Sequence, residues 1–430
     1  MRQKPSCGQF PNRWMRTHTL SKGVFVAPNG TNALFHPFHT PYYCYCLYTT
    51  ITTYMGGFHM KFECSAQDLY YGLQNATRAL SSRPAMQILE GVMIMTDEDG
   101  LYLTCSDGSL SIKSFVKADI IQAGQVILPG RLLTEIVRKL PEGTVNFSMN
   151  EKMAVTIRCG QSRSTLTGVS TNEFPQMKDL THSFALHFPQ KKLRDMISKV
   201  TFAIAIQESR QALTGCLMEV TPTELHLVGL DGFRLAMQRY NDNFVLPDDK
   251  SEIKAIIPGR VMNELVHIMD GEGEVITFHM DNTHLMAVVG NTTLVTSLLA
   301  GEYINYRQIL PTAWLSRVTV KRKELQDAID RASLMAKEGK NNLIRMKCTQ
   351  GSVTITSNSE MGDVQEDLEA HLEGEDIEIA FNSRYINDVI KNVDEDCCTL
   401  CMNTAVSPCV ISPMDGDSYL YLVLPVRVYN

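Results

Sequence analysis

Ile127-Leu128-Pro129-Gly130-Arg131 leads into the apolar-spaced run Leu132-Leu133-Thr134-Glu135-Ile136-Val137. The same phrase returns as Ile256-Ile257-Pro258-Gly259-Arg260, followed by Val261-Met262-Asn263-Glu264-Leu265-Val266. A third version, Ala380-Phe381-Asn382-Ser383-Arg384, opens Tyr385-Ile386-Asn387-Asp388-Val389-Ile390. The three arginines are spaced by 129 and 124 residues, too long a period for a solenoid, so the copies are domains. Each phrase predicts a helix start.

Outward from these phrases the copies keep matching. Phe62-Glu63-Cys64, residues 184–187 and Arg317-Val318-Thr319-Val320 each precede a predicted helix, over 67–80, 190–205 and 323–337. Leu69, Leu73, Ala76 and Leu80 recur at three- and four-residue steps. So do Leu193, Ile197, Val200 and Ile204, and Leu325, Ile329, Ala332 and Met335. That spacing is one buried stripe on an amphipathic helix. Between the two helices of each copy, period-two runs predict hairpins at 92–95 and 101–104, 217–220 and 225–228, and 344–348 and 352–356. After the second helix come strands at 144–148 and 154–158, 274–279 and 285–289, and 399–402 and 406–411. The expected fold class is α+β: three tandem copies of a two-helix unit backed by antiparallel sheet, at 60–182, 183–313 and 314–430.

Charge is unevenly spread. The formal net charge is −7, but residues 1–59 hold Arg2, Lys4, Arg13, Arg16 and Lys22 and no acid. The remaining 35 Lys and Arg face 47 Asp and Glu, a balance of −12 for residues 60–430. Such a surface does not hold phosphates unless its cations gather on one face. They do gather on predicted helices: Arg131, Arg138 and Lys139; Lys191, Lys192, Arg194 and Lys199; Lys321, Arg322, Lys323, Arg331 and Lys337. Interleaved acids allow the plainer reading of solvated helix faces, but the contrast with an acidic remainder points to a sequence-independent grip on duplex DNA.

The 12 cysteines show no paired metal-ligand spacing and read as thiols buried in strands, which implies a reducing cytoplasm and no metal. No run approaches the roughly 18 apolar residues of a membrane span. Residues 1–59 are unpatterned, and Gly56-Gly57 precedes Met60 at the distance of a purine-rich ribosome-binding site; Met60 is the expected initiator and the preceding stretch a non-native or disordered extension. An intact mass that includes residues 1–59 would refute this. No phosphate loop, nucleophile elbow or zinc-protease motif is present, so no catalytic residues and no cofactor are expected. Asp231-Gly232-Phe233-Arg234 lacks the setting of a kinase motif and reads as a turn between strands.

Met60-Lys61-Phe62, Val228-Gly229-Leu230-Asp231-Gly232-Phe233-Arg234-Leu235-Ala236 and Leu424-Pro425-Val426-Arg427, in that order inside a threefold repeat, resemble the bacterial DNA polymerase III β subunit, the sliding clamp. The resemblance spans 60–430. It implies a non-enzymatic ring, a head-to-tail homodimer that encircles double-stranded DNA and tethers the replicative polymerase. It also implies a hydrophobic cleft for short peptides of the polymerase, the clamp loader, other polymerases and repair proteins. Carried onto matching positions, the cleft comprises Leu213, Leu230, Gly232, Phe233, Arg234, Leu235, Ile309, Val406, Leu422, Val423, Leu424, Pro425, Val426 and Arg427. Arg234 and Arg427 would bond the peptide's polar groups. The chain has Ile304 and Gln308 where relatives often carry Pro and Arg, and Phe233 where His is common. The resemblance also implies DNA contacts at Arg83, Arg131, Arg210, Gln211 and Arg260, and a dimer seam joining Leu166 to Leu334 and Met335. The alternatives are an open or monomeric peptide-binding scaffold that never encircles DNA, and an enzyme with an unrecognised site.

Overall fold

The computed structural model describes residues 59–207, 210–270, 275–339 and 341–428; the expected N-terminal extension lies outside the described residues except for His59. Among them each copy carries two α-helices. These are α1 (Ala66–Ala76) and α2 (Gly130–Arg138), α3 (Gln190–Ser198) and α4 (Gly259–Ile268), and α5 (Arg322–Glu338) and α6 (Ser383–Ile390). The predicted apolar stripes are their inner faces: Leu69, Leu73, Ala76 and Leu80, and likewise Leu193, Ile197, Val200 and Ile204, are buried. In α5, Leu325, Ile329 and Ala332 are buried while Met335 is only half-buried.

The first helices of the first two copies are shorter than their periodicity predicts. The chain tightens into 3₁₀ turns at Thr77–Ala79 and Thr201–Ala203. The Thr77 hydroxyl donates to the Leu73 carbonyl at 2.7 Å, the local competition that makes Thr a poor helix interior. The tight turn brings Leu80 against the start of α2, which explains the Pro-Gly phrase. Pro129 occupies the cap, where a missing N–H is no loss, and a Cβ on Gly130 would lie 2.8 Å from Leu80 Cδ1. In the third copy Asn382 caps α6 instead, accepting from the Arg384 amide at 3.0 Å, and Ser383 is fully buried at the glycine's position.

The predicted hairpins are larger than expected. Each is a three-stranded meander, because a further alternating strand follows it: Leu110–Lys117, Arg234–Asn241 and Gly362–Gly374 after the first meanders, Ser162–Thr167, Thr292–Ser297 and Tyr419–Val423 after the second. Each meander is completed by the strand that leads into the helix of the other half-copy. Gln125–Pro129 pairs with Gly91–Asp97, and Met60–Ser65 with Thr144–Met149. The strand expected over 406–411 is instead Cys409–Ser412; Val406 lies in the preceding turn, where the Ser407 amide bonds the Thr404 carbonyl.

The copies join by strand pairing. Leu110–Lys117 of the first copy pairs antiparallel with Thr292–Ser297 of the second, making one eight-stranded sheet. Arg234–Asn241 of the second copy pairs in the same manner with Tyr419–Val423 of the third, within a twelve-stranded sheet. The same two strand types make both seams. Left over at the ends of this series are Ser162–Thr167, an edge strand of a five-stranded sheet, and the outer edge of the strand from Gly362 to Glu369. Nine cysteines from residue 60 onward are free thiols, eight of them buried. Burial pushes the thiols of Cys64, Cys216, Cys348 and Cys398 up to about 12, which makes them poor nucleophiles.

Candidate functional site

At the second seam the Asp231-Gly232-Phe233-Arg234 turn decides the geometry. Asp231 Oδ1 accepts from the amides of Phe233 and Arg234, each at 3.0 Å, and Gly232 takes φ +85°, a conformation that disfavours any side chain. The turn places Leu235 opposite Leu422 and Arg234 opposite Val423. Phe233 is thrown outward, 56% exposed, with its ring stacked on Tyr385 at 5.5 Å. The Leu424 amide returns to the Phe233 carbonyl at 2.8 Å, so the last strand's exit is tied to the turn.

Four of the expected cleft residues come together in one buried cluster, set apart from the main core. Leu213, Leu230, Leu235 and Leu422 pack with Leu217, Val228, Ile256, Tyr306, Cys401 and Val410, and with the partly buried Tyr303, Ile304, Leu310 and Trp314 of the connector. Around this floor stand exposed apolar side chains: Ile309, Val406, Leu424 and Phe233. Pro425 and Val426 are half-buried, the Val426 amide bonds the Ala380 carbonyl at 2.8 Å, and Arg427 is exposed.

Two expected residues behave otherwise. Val423 is fully buried in the main core, on the opposite face of its strand from Leu422, as period two requires. Arg234 is not open to a ligand. Its side chain is 12% exposed, with Nε on Asp231 at 3.0 Å, Nη1 on Asp388 at 2.5 Å and its guanidinium over the rings of Phe202 and Tyr385. It locks the third copy to the second. Arg427 is left as the cation exposed at this rim.

Sequence reasoning passed over Leu217, Ile256, Cys401, Val410, Tyr303 and Trp314. A signal existed for the first. All six residues of Gly215–Val220 are buried, the continuous apolar run of a strand covered on both faces, and a one-sided hairpin does not need that.

The expected DNA contacts divide. Arg83 is exposed in its loop, whose Ser81 carbonyl accepts from Arg131 Nη2 at 3.2 Å; Arg210 and Gln211 are exposed in the loop before Leu213. Arg260 is occupied across the first seam. It pairs with Asp107 and donates to the carbonyls of Arg78 and Ala79 at 3.2 Å and of Leu80 at 3.3 Å. Several helix cations are also paired within the chain: Arg138 with Glu135, Lys323 with Asp327, Arg331 with Glu366, and Lys199 with Asp195 and Asp394. Arg83, Lys139, Lys191, Arg194 and Lys337 have no acidic partner among the described residues. Of the expected dimer residues, Leu166 is half-buried on its edge strand, Leu334 is 66% exposed and Met335 is half-buried.

Three family profiles match in succession: the N-terminal domain of the DNA polymerase III beta subunit over residues 60–178, the central domain over 187–305 and the C-terminal domain over 307–427. The chain belongs to the DNA polymerase III β-subunit family. It is 32% identical over 381 residues to the beta sliding clamp of Bacillus subtilis, covering 86% of this chain and 100% of that relative. A Staphylococcus aureus beta sliding clamp is 31% identical over 380 residues, with the same coverage of 86% and 100%. The crystal structure of the B. subtilis DNA polymerase sliding clamp superposes with a TM-score of 0.82 at 31% identity, covering 86% of this chain and 100% of that one. That of the Thermotoga maritima β subunit superposes with 0.80 at 26%, again covering 86% and 100%. Sliding clamps are non-catalytic. Three features of the described surface stand out beside that: the leucine floor at the second seam, the unpaired cations and the two leftover strand edges.

Proposed function

We propose that two copies of this clamp close head to tail into a six-unit ring around duplex DNA, built from units at 60–182, 183–313 and 314–430. It acts in the cytoplasm as the processivity factor of the replicative polymerase. The pairing rule of the two internal seams carries this reading: each joins the third strand of one copy's first meander to the last strand of the next copy. Applied once more, the rule pairs Gly362–Glu369 of one protomer with Ser162–Thr167 of its partner. Both are unpaired edges, which a soluble protein rarely leaves open. Extending the internal register puts Leu166 opposite Gly362, Ser164 opposite Val364 and Ser162 opposite Glu366. Leu132 and Leu334, 51% and 66% exposed, fall at the positions of Val261 and Arg78, which are engaged at or near the first seam. Rotation that closes gives a ring rather than a filament.

In this ring Arg83, Arg131, Arg210 and Gln211 contact phosphates weakly and without reading bases, so the protein slides. Leu213, Leu230, Leu235 and Leu422 form the floor of a cleft walled by Phe233, Ile309, Val406, Leu424, Pro425 and Val426. It takes apolar anchors of extended peptides from the polymerase, the clamp loader and repair proteins, with Arg427 at the polar end.

Retention on DNA tests the ring. Loaded clamp should stay on nicked circular plasmid and leave within minutes once the plasmid is cut, whereas equal loss from both forms would favour the open scaffold. Leu132→Glu with Leu334→Glu should give monomers by sedimentation and abolish the difference, since both side chains are already exposed in the single chain and their loss does not unfold it.

A further inference from the structure

Beneath the cleft's connector lies a carboxylate that the apolar floor does not call for. Glu219 sits in the wholly buried strand Gly215–Val220, and its side chain is 3% exposed. Donors converge on it from two parts of the molecule. Lys254, on a neighbouring strand of the second copy, reaches it at 3.1 Å. From the connector come Tyr306 Oη at 2.8 Å and Arg307 through Nη2 at 2.7 Å and Nη1 at 3.2 Å. The connector is thus fastened to the sheet by polar bonds at the start of the turn Tyr306–Ile309, and the last residue of that turn, Ile309, stands half-exposed beside the leucine floor. A buried ion cluster is a poor source of net stability, because desolvation offsets its attraction. What it supplies is a fixed position, since the Tyr306 hydroxyl and both Arg307 Nη atoms converge on one buried carboxylate.

We propose that Glu219 is a positioning residue of the peptide cleft: it holds the Tyr306–Ile309 turn, and through it the Ile309 wall, in the place a bound peptide needs. The proposal rests on the cleft assignment above. A wall ordered beforehand loses little freedom on binding, so the carboxylate acts on affinity without touching the peptide.

The test is a double-mutant cycle read by titration of a fluorescein-labelled hexapeptide ending in Leu-Phe, on the full chain with its oligomeric mass checked. Ile309→Ala should weaken binding about fivefold, the effect of losing one anchor contact. Glu219→Gln, which keeps the shape and removes the charge, should weaken it by about three- to fivefold, no more than losing the wall itself. In the Ile309→Ala background Glu219→Gln should add less than about twofold, because the wall it positions is already gone. Should Glu219→Gln fold poorly, Tyr306→Phe removes one bond to the carboxylate and should show a smaller loss with the same non-additivity. Additive losses would mean that Glu219 supports the fold generally and would overturn the positioning role. Full affinity in Glu219→Gln beside weakened Ile309→Ala would overturn it while leaving the cleft standing. Full affinity in Ile309→Ala would overturn both.

Discussion

The seam between the first and second copies and the seam between the second and third use the same strands in the same register, yet they are lined differently. Where the second seam sets Leu230 and Leu235 against Leu422, the first sets Ser106 and Ser111 against Val295. Across the first seam the Ser114 and Thr292 hydroxyls meet at 3.1 Å, and beside it Ser111 donates to Ser106 of its own copy at 2.9 Å. Its linker covers a small patch in which Leu180 packs on Met286 and Val295. The second buries a leucine cluster under a longer connector and leaves apolar side chains exposed around it. Strand pairing is satisfied equally in both, so backbone hydrogen bonds make the joint and side chains decide whether the joint is also a binding site. The seam proposed between protomers would set Asn358, Asp363 and Thr165 at the matching positions, polar like the first. On that reading each chain carries one leucine-lined seam.

Writing the first seam's residues into the second is the severest way to break this contrast. Leu230→Ser with Leu235→Ser should cost about 3 kcal/mol or more per site, from lost burial and a hydroxyl stranded in an apolar cluster. Peptide binding should disappear; a doubly substituted clamp that still bound peptide in titration would sever floor from function. Next come the two arginines that brace the seams. Arg234→Met takes a largely buried guanidinium from two carboxylates, Asp231 at 15% and Asp388 at 41% exposure, and should cost about 3 kcal/mol in chemical denaturation. Arg260→Met removes a side chain that is itself 42% exposed and leaves Asp107 bonded to the amides of Ser109 and Leu110, so it should cost about 1 kcal/mol. Equal costs would mean that the two seams are braced alike.

A smaller effect separates seam cations from DNA cations. Arg83→Ala should lower the salt dependence of DNA binding by about one unit of slope, whereas Arg260→Met should leave the slope nearly unchanged. A slope change on losing Arg260 would return it to the DNA face. The smallest effect is with acid. Burial opposes ionisation of Glu219, but hydrogen bonds involving His226, Arg307, Tyr306 and Lys254 prevail and hold its carboxyl far below the usual carboxylate range. Asp107 at the first seam is also buried in part. The amides of Leu110 and Ser109, the Ser109 hydroxyl and Arg260 lower it, by less. A carboxyl depressed in the folded state contributes stability above its ordinary range and loses it as pH falls toward the folded value. Below about pH 4 the first seam should therefore loosen before the second, seen as earlier hydrogen exchange at 110–117 and 292–297 than at 234–241 and 419–423.

Much of this was legible without coordinates. Apolar stripes marked three helix sites and the repeated phrase the other three, and the structure adds that Gly130 and Gly259 stand where a Cβ would crowd Leu80 and Ile204. Asp231-Gly232 announced a tight turn. What escaped was non-local. Arg234 and Arg260 look alike on paper as free cations, and both are consumed at seams by carboxylates more than a hundred residues away, Asp388 and Asp107. Val423 and Leu422 are equally apolar, and only the pleat sends one to the core and the other to the cleft. Met335 continued its helix stripe but is only half-buried, with its sulfur accepting from the Ser359 hydroxyl of its own copy.

The sequence by itself determined the repeated unit, its two helices, its antiparallel strands and its family, since periodicity and turn chemistry are local properties that each copy states three times. The tertiary structure alone decided which strand edges meet, which cations are paired within the chain and which seam buries a leucine cluster. Those depend on register and on charge pairing between distant residues, and the energies that select them exist only once the strands lie side by side.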